Sequence, residues 1–133
     1  MRLHDVPTVS MVKSHGGASD LEIALVENVT GRHFPADYKE VLREHNGLEC
    51  FVGKKGYLAL WSTAEVLELN QAYAVAEFAP GLTLIGANGG NDGYGLAEVD
   101  GETKYVTVPL VGMETESVQV LGNTFVEFLS MIG

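Results

Sequence analysis

The hydrophobic pattern changes period at Leu82, and that change limits the folds open to the chain. The segments Leu82 to Ala87, Tyr94 to Val99 and Lys104 to Pro109 alternate as half-buried strands do. Only short connections separate them, and Asp100-Gly101 is a tight-turn dipeptide, so consecutive strands pair antiparallel as a meander. A parallel arrangement needs crossovers of roughly a dozen residues or more, which do not fit here.

The first of these connections lies in Leu84 to Leu96, a stretch holding five of the chain's sixteen glycines. Glycines can let backbone N–H groups line a phosphate cradle, or they can simply turn one strand into the next. The cradle fails on its chemistry. Gly86-Ala87-Asn88 is not Gly-x-Gly, no Gly-Lys-Ser/Thr follows, and the next segment has strand period, so no helix N-terminus faces the loop. Asn88, Asn91 and Asp92 offer oxygen atoms to a metal, but calcium demands more carboxylates, and Asn and Asp in turns usually bond their own backbone.

Upstream of Leu82 the helical period dominates. Ser19 and Glu22 form a capping box for a helix whose apolar residues are Leu21, Ile23 or Ala24, Leu25 and Val29, stopping at Gly31. Pro35 suits the first position of a second helix, with Tyr38, Val41 and Leu42 on one face and Asn46-Gly47 as a left-handed cap. Glu49 to Gly53 and Tyr57 to Trp61 read as a hairpin around the positive tip Lys54-Lys55-Gly56. Ser62 or Thr63 then opens a third helix, Ala64 to Phe78, ended by Pro80-Gly81. Beyond the meander, Val118 and Val120 indicate one more strand. Asn123 or Thr124 caps a short closing helix with Phe125, Phe128, Leu129 and Ile132 on one face. Residues 1–17 show no clear period and read as an extended lead-in or a short first element. Helices segregated from a sequentially connected sheet imply an α+β fold.

The 133 residues fit one domain over 1–133, large enough to bury roughly two thirds of its unfolded surface. No apolar run approaches bilayer length and no apolar signal core precedes the first charges, so a cytoplasmic location is expected. Cys50 is the only cysteine, which removes intrachain disulfides and multi-thiolate metal sites. A net charge of −10 opposes binding to nucleic acid or an anionic membrane and favours a basic partner.

Enzyme chemistry finds little support in the residues. His4, His15, His33 and His45 form no ligand-spaced cluster, no Gly-x-Ser-x-Gly occurs, and Cys50 has no sequence-local activator. Asp37, Glu40 and Glu44, like Glu65 and Glu68, have the spacing of solvated helix faces. Neither a catalytic set, a metal nor a cofactor is expected. Surface electrostatics remain: Asp92, Glu98, Asp100 and Glu102 lie on or near two turns and, where they converge, make an acidic patch for a basic partner, with Asn91 beside it and Tyr94 as an aromatic anchor.

In order, Phe-Pro-Ala-Asp-Tyr, His-Asn-Gly, a strand ending in Trp61, a Glu-rich helix, Pro-Gly, Leu-Ile-Gly with its glycine-rich turn, and Thr-Phe-Val-Glu-Phe-Leu resemble the SUKH superfamily. This is the Smi/Knr-type cell-wall-assembly-regulator domain, and the resemblance runs from about Ser19 to Ile132. It implies helices packed on one face of an antiparallel sheet, and places the family pattern on Pro35, Tyr38, Asn46, Gly47, Trp61, Gly86 and Phe128 as fold residues. It also implies a non-enzymatic immunity protein that neutralises a toxin by direct binding. The alternatives are a regulatory scaffold with no toxin and, further off, an enzyme with an unrecognised spatial site. Basic, phosphate-binding nuclease toxins would match the acidity of this chain. The turn around Gly89, Gly90, Gly93 and Gly95 is richer in glycine than the family pattern requires.

Overall fold

A computed structural model describes residues 6–133; His4 and its neighbours lie outside the described residues. One antiparallel sheet runs in sequence order through β1 (Val9–Ser14), β2 (Leu48–Val52), β3 (Gly56–Leu60), β4 (Leu82–Ala87), β5 (Asp92–Val99), β6 (Glu102–Pro109) and β7 (Gln119–Gly122). The helices are α1 (Asp20–Thr30), α2 (Ala36–Glu44), α3 (Thr63–Ala72), α4 (Val75–Phe78) and α5 (Phe125–Ile132). This is the mixed α+β meander with a short closing helix that the periods predict.

The core centres on an aromatic cluster between α5 and the middle strands. Phe128 meets Tyr94 edge-on at 5.2 Å, and Tyr105 and Phe125 at 5.5 Å each. Asp37 ties α2 to this cluster: its carboxylate accepts from the Tyr105 hydroxyl at 2.5 Å and from the Phe125 N–H at 2.7 Å. Asp37 is therefore a structural joint at the N-terminus of α5, where a negative charge meets free backbone donors, and not a solvated helix charge.

Between β3 and β4 the sheet opens. Their pairing is limited to Ala59 with Ala87 and Leu60 with Gly86. Where it stops, the Asn70 side chain on α3 substitutes for a strand, donating to the Leu84 carbonyl at 2.8 Å and accepting from the Leu84 N–H at 2.9 Å. Close strand approach on the two sides of β4 explains two glycines of the rich stretch. A Cβ on Gly86 would stand 2.5 Å from the Ala59 carbonyl oxygen, and one on Gly95 2.5 Å from that of Thr83. These glycines serve strand packing, and only Gly89, at φ +84°, has the left-handed backbone of a turn residue.

Several local expectations are corrected. Of the two readings of residues 1–17, the short first element holds as strand β1, whose alternation a register shift between Met11 and Lys13 breaks. Asn46-Gly47 is not a helix cap: α2 ends at Glu44, and His45 is already extended. Asn46 instead accepts from the Thr63 N–H at 2.8 Å, while Gly47, at φ +97°, lets Ser62 approach closely. The third helix is two pieces, α3 and α4, broken at Ala74 with φ +53°, a turn that brings Val75 and Ala79 into the core. The phase of α1 also differs: Ile23 and Val26 are the residues it buries, whereas Leu21, Leu25 and Val29 face outward.

Candidate partner interface

Strand β5 decides where the acidic candidates lie. Asp92 starts it and Glu98 stands near its end, so the two turns that flank it are separated by about 20 Å of strand. The expected single patch is therefore two sites. At one end, Asn88 organises the turn: its Oδ1 accepts from the N–H groups of Gly90 and Asp92, and its Nδ2 donates to Asp92 at 3.1 Å. Asn91 is equally committed, since its Oδ1 accepts from the Val111 N–H at 2.9 Å and fastens the loop after β6. Tyr94 is only 6% exposed, so it packs inward and does not project as an anchor. Burial, and then the Asp92 charge, raise its phenol. Asp92 and Tyr94 do share a polar cleft of about 310 Å³ with Lys55, Tyr57, Asn88 and Thr107.

The other end is the β5–β6 turn, where Val99 pairs with Glu102 across Asp100 and Gly101. Both turn residues have positive φ, 53° and 81°, the geometry of a two-residue hairpin that matches strand twist. Glu98, Asp100 and Glu102 all lie at this end and are exposed, but Glu98 pairs with Thr103 and Glu102 with Val99, so the two glutamates leave opposite faces of the hairpin. Lys104 reaches Glu102 at 2.7 Å, and that hydrogen bond holds the Glu102 carboxyl below its ordinary range. Arg32 faces Glu98 while donating to the Gly81 carbonyl and to the Thr83 hydroxyl at 3.0 Å. Burial lowers the Arg32 guanidinium and the Glu98 charge opposes that shift. Asp100 has no ion-pair partner among the described residues and is the most available carboxylate of the group.

The remaining pattern residues lie at joints or in the core. Pro35 opens α2, Tyr38 and Phe128 are fully buried, Trp61 stacks on Tyr73 with centroids 6.5 Å apart, and Asn46, Gly47 and Gly86 hold the close contacts described above. Cys50 is also fully buried, and burial pushes its thiol up to about 11, which removes its nucleophilic thiolate at neutral pH. Among the described residues no three His, Cys, Asp or Glu side chains form a metal-holding group, and no helix is long and apolar enough to cross a membrane. Sequence reasoning missed the outward side of α1. Its signal was present as the spacing of Leu21, Leu25 and Val29, but it pointed to core.

Fold and surface together define a small α+β domain whose functional candidates are surface residues around a meander. The chain belongs to the SMI1 / KNR4 family (SUKH-1), whose pattern matches residues 17–131. It is also similar to the uncharacterized protein YnaB of Bacillus subtilis (strain 168), with 41% identity over 69 residues. That match covers 52% of this chain and 43% of YnaB, so less than half of that relative is represented.

Proposed function

We propose that the protein is a non-enzymatic, cytoplasmic immunity-type protein that binds a cognate basic toxin and blocks it. The observation that carries this reading is the family match, which spans 17–131 and thus α1 to α4, all but the last residue of α5 and all strands from β2 to β7. The net charge of −10 supports a basic partner, because opposite potentials steer association and suppress wrong partners. The exposed carboxylates of Glu98, Asp100 and Glu102 supply one point of contact, and Asp92 with Asn91 a second, weaker one.

Co-purification from the native host, with the captured protein identified by mass, tests the reading. A toxic protein from a neighbouring gene, inactive in the complex, is the expected result; a non-toxic regulatory partner overturns it in favour of the scaffold. Neutralising the turn with Glu98→Gln and Asp100→Asn, the latter chosen because Asn tolerates positive φ, is expected to weaken toxin binding by about tenfold at low salt. Unchanged affinity removes the β5–β6 turn from the interface.

A further inference from the structure

The outward side of α1 is apolar without a partner in the fold. Leu21, Leu25 and Val29 are 83%, 57% and 59% exposed, and their spacing of four places them in one row along the helix. Isolated exposed leucines need no explanation, but a continuous row at helical spacing is a surface. The row leads into a depression. Val29 and Thr30 form one wall of a groove of about 410 Å³ whose other wall includes Leu67, Gln71, Ala74 and Leu82.

The side-chain charge lining this groove has one sign. Asn46 reaches both Glu22 near the start of α1 and Thr63 at the start of α3, and Val29 in the last turn of α1 and Ala74 just past α3 line the same groove at the other ends. The two helices therefore run side by side in the same direction, and the groove lies at their C-terminal ends. Neither carries a basic residue in its last turn. The negative ends of two helix dipoles thus face the same depression. Glu77 lines it, Glu68 stands beside Gln71, and neither is in an ion pair among the described residues. No Lys, Arg or His lines it. Arg32, the nearest cation in sequence, is turned to Gly81 and Thr83.

From this charge complementarity we infer that the α1 row and the α1/α3 groove dock an amphipathic, Lys/Arg-bearing helix of the protein partner. Apolar residues spaced three and four apart on that helix seat on Leu21, Leu25 and Val29, and its cations meet Glu68, Glu77 and the helix ends. A second copy of this chain is disfavoured as occupant, because it would bring like charges together. The inference rests on the partner-binding function proposed above and specifies the surface used.

The test is an NMR titration of the full chain with a synthetic amphipathic helix of roughly 18 Leu and Lys residues, with a sequence-scrambled peptide of the same composition as control. Expected are shifts confined to α1, α3 and α4, and binding weakened about tenfold by Leu25→Ser with Val29→Ser, a loss of apolar contact on the order of 1.4 kcal/mol. Glu68→Gln with Glu77→Gln is expected to flatten the salt dependence. Both pairs change exposed positions, and unchanged circular dichroism verifies folding. Shifts centred elsewhere, equal binding of the scrambled peptide, or a concentration-dependent dimer abolished by Leu25→Ser would each overturn the inference. A captured toxin bound equally well by the Leu25→Ser, Val29→Ser variant overturns this surface and leaves the proposed function intact. Groove-confined peptide binding with a non-toxic native partner does the reverse.

Discussion

Helices α1 and α5 begin alike and end in different environments. Each opens with a full capping box, Ser19 with Glu22 and Thr124 with Glu127, and each carries a regular apolar row. The row of α5 is driven into the sheet, with Phe125, Phe128 and Leu129 almost wholly buried. The row of α1 is left in solvent, and the residues that this helix buries in the core are Ile23 and Val26. Helical period thus reports that a helix has an apolar face, and not what covers it. In α5 the covering element is the molecule's own sheet; for α1 the fold offers none.

The comparison can be broken by mutation, beginning where the largest effect is expected. Phe128→Ala removes the ring that contacts Tyr94, Tyr105 and Phe125 and is expected to cost about 4 kcal/mol in urea unfolding. A cost under about 1 kcal/mol would mean that α5 is not the core element described. Gly95→Ala places a methyl against the Thr83 carbonyl and is expected to cost about 3 kcal/mol, measured the same way. Stability equal to the parent would return Gly95 to the class of dispensable turn glycines. Val26→Ala, on the inward side of α1, is expected to cost about 2 kcal/mol.

A milder, graded effect follows from titration. Burial raises the Cys50 thiol to about 11 and raises the phenols of Tyr38, Tyr94 and Tyr105. The folded chain therefore keeps protons that the unfolded chain releases. Stability is fully present below the ordinary thiol range and declines as pH rises toward about 11. Melting temperatures across that range check the slope, and phenolate absorbance of the buried tyrosines is expected to appear only with unfolding. The smallest effect belongs to the outer row of α1: Leu25→Ser is expected to change stability by no more than about 0.5 kcal/mol, the range of exposed substitutions. A large loss there would show that the row is part of the core after all.

Legibility in the sequence followed the range of the forces involved. The caps at Ser19 and Thr124, the Asp100-Gly101 turn and the strands of the meander are set by residues a few positions apart, and they were readable as such. Strand β1 was not, because its bulge hides the alternation. The break at Ala74 was not, because only the placement of Val75 and Ala79 in the core accounts for it. Of the site candidates, the carboxylates near the β5–β6 turn were legible as a group because the hairpin is local. Joining Asp92 to them required knowing that β5 separates the two turns by its whole length, and Tyr94 required knowing that α5 covers its face.

From the residues alone follow the caps, the antiparallel order of the meander and a net charge of −10. These depend on backbone preference, turn chemistry and total charge, which need no knowledge of distant contacts. Packing is what sets Gly86 and Gly95 at close strand approaches, makes Asp37 the joint between α2 and α5, and turns the apolar row of α1 outward. Each depends on which surfaces remain once the others have been paired, and burial is a property of the packed whole.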